Sequence, residues 1–89
     1  MVTQGVTVTN TTWLNIITEF TLTNGTRYNL QNVGSRVLFL TEQSSTPTDA
    51  TPAHEILPGE SRAVTPEAGM GLWVRGYLSS VDIAITESE

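Results

Sequence analysis

The chain has 89 residues, a net charge of −5, and neither cysteine nor lysine. That length makes one domain, residues 1–89, and the missing thiols exclude disulfides and thiolate metal sites. The acidic balance lacks the basic stripe or polybasic patch that phosphate needs, which argues against nucleic acid and against anionic membrane surfaces.

In chain order, Val2, Gln4, Val6 and Val8 alternate with polar neighbours, so residues 1–10 read as an edge strand or an N-terminal arm. Over Thr11–Thr23, Leu14, Ile16, Thr18, Phe20 and Leu22 share one period-two face. The opposite face holds Trp13, Asn15, Ile17, Glu19 and Thr21, which predicts a long strand. Asn24-Gly25 suits a type I′ hairpin and should fold residues 26–33 back with Tyr28 and Leu30 inward. Gly34 marks a bend. Residues 36–41 then run apolar without alternation, as in a strand covered on both faces.

Residues 43–53, rich in Ser, Thr and Pro, form the one long loop. Pro58-Gly59 fits the centre of a type II turn, and Gly69-Met70-Gly71 reads as a tight hairpin. Leu72, Val74, Gly76 and Leu78 then oppose Trp73, Arg75 and Tyr77 along a strand. The last strand sets Val81, Ile83 and Ile85 against Asp82, Ala84 and Thr86. The expected fold is all-β: a small antiparallel β-sandwich or barrel of seven to eight strands without a substantial helix.

A domain this small buries only about 60% of its unfolded surface, so a lone copy would be marginally stable. With no disulfide and no metal, self-association is the expected support. No stretch approaches the roughly 20 apolar residues that span a bilayer. Met1-Val2-Thr3-Gln4-Gly5 has the form of no signal peptide, which predicts synthesis and folding in a cytoplasm.

Candidate sites are few. His54, with Glu55 beside it and Asp49 in the same loop, lacks a second histidine and any H-E-x-x-H spacing, so it reads as a surface residue and no metal site is expected. A nucleophilic triad would have to use that same histidine with Asp49 or Asp82, and there is no G-x-S-x-G turn. No enzyme and no cofactor are expected. The aromatics carry more. Trp73, Arg75 and Tyr77 share a strand face and are types enriched at interfaces. With Val37, Leu38, Phe39 and Leu40 they form the expected core or interface. Trp13 and His54 are the candidate ligand contacts, and a sugar-stacking platform is the alternative reading of the indoles.

The sequence Tyr28-Asn29-Leu30-Gln31-Asn32-Val33-Gly34 leads into Val37-Leu38-Phe39-Leu40, a Ser/Thr/Pro loop, Ile56-Leu57-Pro58-Gly59-Glu60, Leu72-Trp73-Val74-Arg75 and Ile83-Ala84-Ile85-Thr86-Glu87. This arrangement, over residues 28–87, resembles small virion structural proteins of tailed bacteriophages. The resemblance implies an all-β, non-enzymatic subunit of the virion, assembled in the host cytoplasm. It would stabilise the capsid as a decoration or cement protein bound to viral coat protein, as a homo-oligomer for which a trimer is favoured. Alternatives in the same setting are a carbohydrate-binding adhesion module and a head–tail or tail accessory protein. The resemblance brings no catalytic residue.

Overall fold

The structure is a computed structural model that describes residues 3–48 and 53–87. Its elements are β1 (Gln4–Val8), β2 (Leu14–Asn15), α1 (Ile16–Phe20), β3 (Tyr28–Asn32), β4 (Leu38–Gln43), β5 (His54–Ile56), β6 (Ser61–Val64), β7 (Gly71–Gly76) and β8 (Val81–Glu87). They form two four-stranded sheets, β1-β8-β3-β6 and β2-β7-β4-β5, in which every pairing is antiparallel. The expected all-β sandwich is the observed architecture. No helix among the described residues is long and apolar enough to cross a membrane.

Alternation decides what lies between the sheets. Tyr28 and Leu30 from β3 and Val81, Ile83 and Ile85 from β8 meet Leu38 and Leu40 from β4, Ile56 from β5, and Leu72 and Val74 from β7. Each full burial of such a side chain contributes about 1.5–3 kcal/mol. Tyr28 keeps its hydroxyl satisfied by accepting from the Thr23 amide at 2.9 Å.

Four expectations are corrected. Residues 11–23 are not a strand: after the two residues of β2 the chain turns into α1. Asn15 caps that helix, its side chain accepting from the Ile17 amide, while Ile16 and Phe20, four apart, are buried on one helical face. Thr21 closes it in a left-handed conformation (φ 53°).

Asn24-Gly25 does not make a type I′ hairpin. Among the described residues only Thr21 and Leu78 have positive φ without being glycine, so Asn24 does not. Gly25 (φ 82°) takes the i+2 position of a type II-like turn, Thr26 bonds back to the Thr23 carbonyl, and the Gly25 amide bonds to Pro66. β3 pairs with β6 and β8, not with what precedes it. Gly69-Met70-Gly71 is likewise a turn (Gly69 φ 81°) but links strands of opposite sheets, so it is no hairpin. Leu78 is not core: it stands 73% exposed on the turn after β7.

Other expectations hold. Gly59 (φ 82°) sits at i+2 of the Leu57–Glu60 turn, whose closing bond measures 2.9 Å. β1 is an edge strand, paired to its own chain's β8 from Gln4↔Ile85 to Val8↔Val81; Met1 and Val2 of the expected arm lie outside the described residues. Of the loop 43–53, Gln43 belongs to β4 and residues 49–52 lie outside the described residues.

Candidate functional site

The outward face of the β2-β7-β4-β5 sheet gathers most of the chain's aromatic rings. In β4, Leu38 and Leu40 face inward and belong to the core, which corrects their place in the expected interface; Phe39 faces outward, half-buried. Phe39 is paired with Arg75 on one side and Glu55 on the other. Leu14 pairs with Val74, which sets Trp13 beside Arg75. A row thus runs across the sheet: Trp13, Arg75, Phe39, Glu55. The outward residues Val37 and Phe39 of the unalternating run 36–41 are half-buried, Phe39 against Arg75 and Tyr77 of the same chain.

Within that row the Arg75 guanidinium carbon lies 5.0 Å from the centroid of Trp13 and 5.9 Å from that of Phe39. Cation–π attraction at such distances contributes about 0.5–1 kcal/mol at exposed sites and more when desolvated. Phe39 and Tyr77 meet edge to face at 5.3 Å and 77°. The indole N–H of Trp13 is buried and meets no acceptor among the described residues.

Trp73 is pinned differently. Its N–H donates to the Gln43 carbonyl at 3.1 Å, and its ring lies over Gly71, where an added Cβ would stand 2.5 Å from the indole nitrogen. Glycine is required there by the close approach of the ring. In a Trp13→Phe background, which leaves one indole, Gly71→Ala is expected to shift tryptophan emission to longer wavelength and to cost about 1–3 kcal/mol in urea denaturation.

At the end of this face the turn after β7 projects Tyr77, 47% exposed, and Leu78. Leu78 has φ 65°, a left-handed conformation that costs a side-chain-bearing residue about 1–2 kcal/mol. Fixed in that conformation, an exposed leucine contributes nothing to the core. Such a residue is a hypothesis of function. The sequence reading missed it because Leu78 continues the period-two apolar series of β7; only its neighbours Ser79-Ser80 hint at a turn. Val37, half-buried, accepts the Tyr77 amide at its carbonyl and steadies the projection.

His54 lies elsewhere. It is exposed at the flank of the sandwich, on an open cleft of about 530 Å³ shared with Leu40, Glu42, Arg62 and Glu67. Among the described residues no three His, Asp or Glu side chains gather closely enough to hold a metal ion. Asp49, its expected companion, lies outside the described residues. The structure therefore separates the two candidate ligand contacts: Trp13 joins the aromatic row, and His54 does not. No protein-family model matches this sequence, and no curated protein or solved structure matches it as a relative.

Proposed function

We propose that this chain is a non-enzymatic structural subunit that seats the Trp13–Arg75–Phe39 row and the Tyr77–Leu78 tip on another polypeptide. In the setting implied by the phage resemblance, that polypeptide is viral coat protein and the subunit decorates the capsid. One observation carries the reading: an exposed leucine held in a strained left-handed turn, three residues along the chain from an arginine packed between aromatic rings. Interfaces draw their energy from a few such aromatic, arginine and apolar anchors. A subunit that binds many equivalent sites on an assembled shell, and not free coat protein, stabilises the shell by mass action at every site.

The glycan reading has less support, since Arg75 already covers Trp13 and Trp73 lies against Gly71. Cosedimentation with assembled capsids tests the proposal. The wild-type chain should pellet with them, while Arg75→Ala and Leu78→Gly should each lower occupancy at least tenfold. Leu78→Gly is the sharper variant. It relieves the left-handed strain, so its melting temperature should hold or rise while binding falls. Occupancy unchanged in both variants, or binding to a glycan array that soluble sugar reverses, would defeat the proposal.

A further inference from the structure

We infer that β1 is a self-pairing edge: two copies of this chain join β1 to β1, antiparallel, making one continuous sheet twice as wide. The inference does not rest on the coat-binding reading, which concerns the opposite sheet.

A sheet has two edges, and an open edge presents about half of its backbone amides and carbonyls to solvent. Proteins blunt such edges with charge, proline or shortness. Three of the four edges here are blunted. β2 is two residues long, β5 is three and carries Glu55, and β6 carries Arg62 and is followed by Pro66. β1 is five residues of Gln-Gly-Val-Thr-Val, with no charge and no proline.

Nor do its side chains shield it. The Thr7 hydroxyl donates to Asp82 at 2.6 Å, and the Thr3 hydroxyl shares a hydrogen bond with Thr86 at 2.7 Å. Both are drawn back over their own sheet. Between them Gly5 faces Ala84, which leaves the surface beside the edge low: a shallow groove of about 450 Å³.

The occupant follows from charge and register. β1 itself carries none of the chain's charge, and the carboxylate beside it in the groove, Asp82, is held by the Thr7 hydroxyl, so no charged side chain of β1 stands between two copies at this edge. Directly opposed residues of antiparallel strands share a face, so keeping core-facing residues on the core side restricts pairing to residues of equal parity. Val8 is fully buried and offers no free edge, so the strands pair about a two-fold axis at Val6: Gly5 against Thr7, and Val6 against its own copy. Val6 packs against the core but is only half-buried at the open edge; the partner's Val6 would cover it.

The absence of native cysteine makes the register directly testable. Opposed Cα atoms about 4.5–5.5 Å apart lie within disulfide reach. Under mild oxidation Val6→Cys should form a cross-linked dimer at least tenfold faster than Ser61→Cys on β6. In sedimentation the wild-type mass should rise from 9.7 kDa toward twice that value with concentration. Val6→Lys, which places like charges on the two-fold axis, should weaken the dimer at least tenfold with its far-UV circular dichroism unchanged. If Val6→Lys does not fold, the cysteine pair still decides. A monomer at every concentration, a trimer, or equal cross-linking at positions 6 and 61 would overturn the inference. So would dimerisation abolished by Leu78→Gly but not by Val6→Lys, since the second copy would then sit on the aromatic face.

Discussion

Asn32→Leu is expected to remove about 4 kcal/mol of stability, measured as a lowered urea midpoint. Asn32 is fully buried, and every polar group it owns is used. Its side-chain amide donates to the carbonyls of Arg36 (2.7 Å) and Ile56 (2.9 Å), and its side-chain oxygen accepts from the Gly34 amide (3.0 Å). Its backbone bonds to Glu60 and Gly59 across the neighbouring turn. The residue therefore fastens the end of β3 to β5 of the facing sheet. Leucine would leave the buried Ile56 carbonyl without a partner, at about 1–3 kcal/mol, and the part-buried Arg36 carbonyl and Gly34 amide likewise at a smaller cost each. For a domain whose whole stability is about 4–13 kcal/mol, that is a large share.

Asn32→Asp gives the same result a sign in pH. A carboxylate has no proton for the two carbonyls and is itself desolvated, so burial raises its folded-state pKa above the unfolded value. The unfolded chain then releases its proton first as pH rises, and stability falls with increasing pH through that window. Asn32→Asp should accordingly be less destabilised near pH 3 than near pH 7, relative to wild type at each pH. Equal penalties at both pH values would remove this account of the site.

The second large effect is expected at Gly76. A Cβ there would stand 2.2 Å from the backbone carbonyl oxygen of Ser79, a group that cannot swing aside as a side-chain tip could. The turn 77–80 must open to admit it, which strains the bonds from the Gly76 amide to Thr9 and from the Tyr77 amide to Val37, both 3.0 Å. Gly76→Ala should cost about 2–4 kcal/mol with an unchanged denaturant slope. Because Tyr77 and Leu78 ride on that turn, capsid binding should fall with it. Gly25→Ala and Gly69→Ala make the comparison: their φ is positive but nothing lies within 4 Å of the added carbon, so each should cost only about 1–2 kcal/mol. Gly76 has no positive φ, so a loss there no larger than at Gly25 and Gly69 would mean that the turn opens at little cost and the collision account fails.

The contrast between strands and the α1 region shows what the residues revealed. β8 was legible because Val81, Ile83 and Ile85 alternate with polar neighbours and no other period fits them. Ile16 and Phe20 are four apart, a spacing that a period of 2 and a period of 3.6 satisfy equally well. The deciding information was Asn15, whose side chain caps the helix, and the polar cap outweighed the apparent alternation. Asn24-Gly25 failed for a tertiary reason: the Gly25 amide binds Pro66, forty-one residues away in the chain, and turn chemistry alone cannot foresee that. At the candidate site, alternation places Trp73, Arg75 and Tyr77 on one face, while Phe39 lies in an apolar run whose outward position alternation does not give. Leu78 and the contribution of Trp13 to the Arg75 row depended on a bend and a cross-sheet register that alternation does not carry.

The order of strands has a consequence for how the molecule comes into being. The two innermost positions of each sheet include β7 and β8, and these are made last, with β8 inserted between β1 and β3 and β7 between β2 and β4. A ribosome must therefore deliver nearly the whole described sequence before either layer can zip shut. Until then only β3 with β6 and β4 with β5 have their partners available. Growth is followed by a single late closure, slow by the standards of locally wired folds, and a nascent chain cut short before residue 81 would be left to proteases or chaperones.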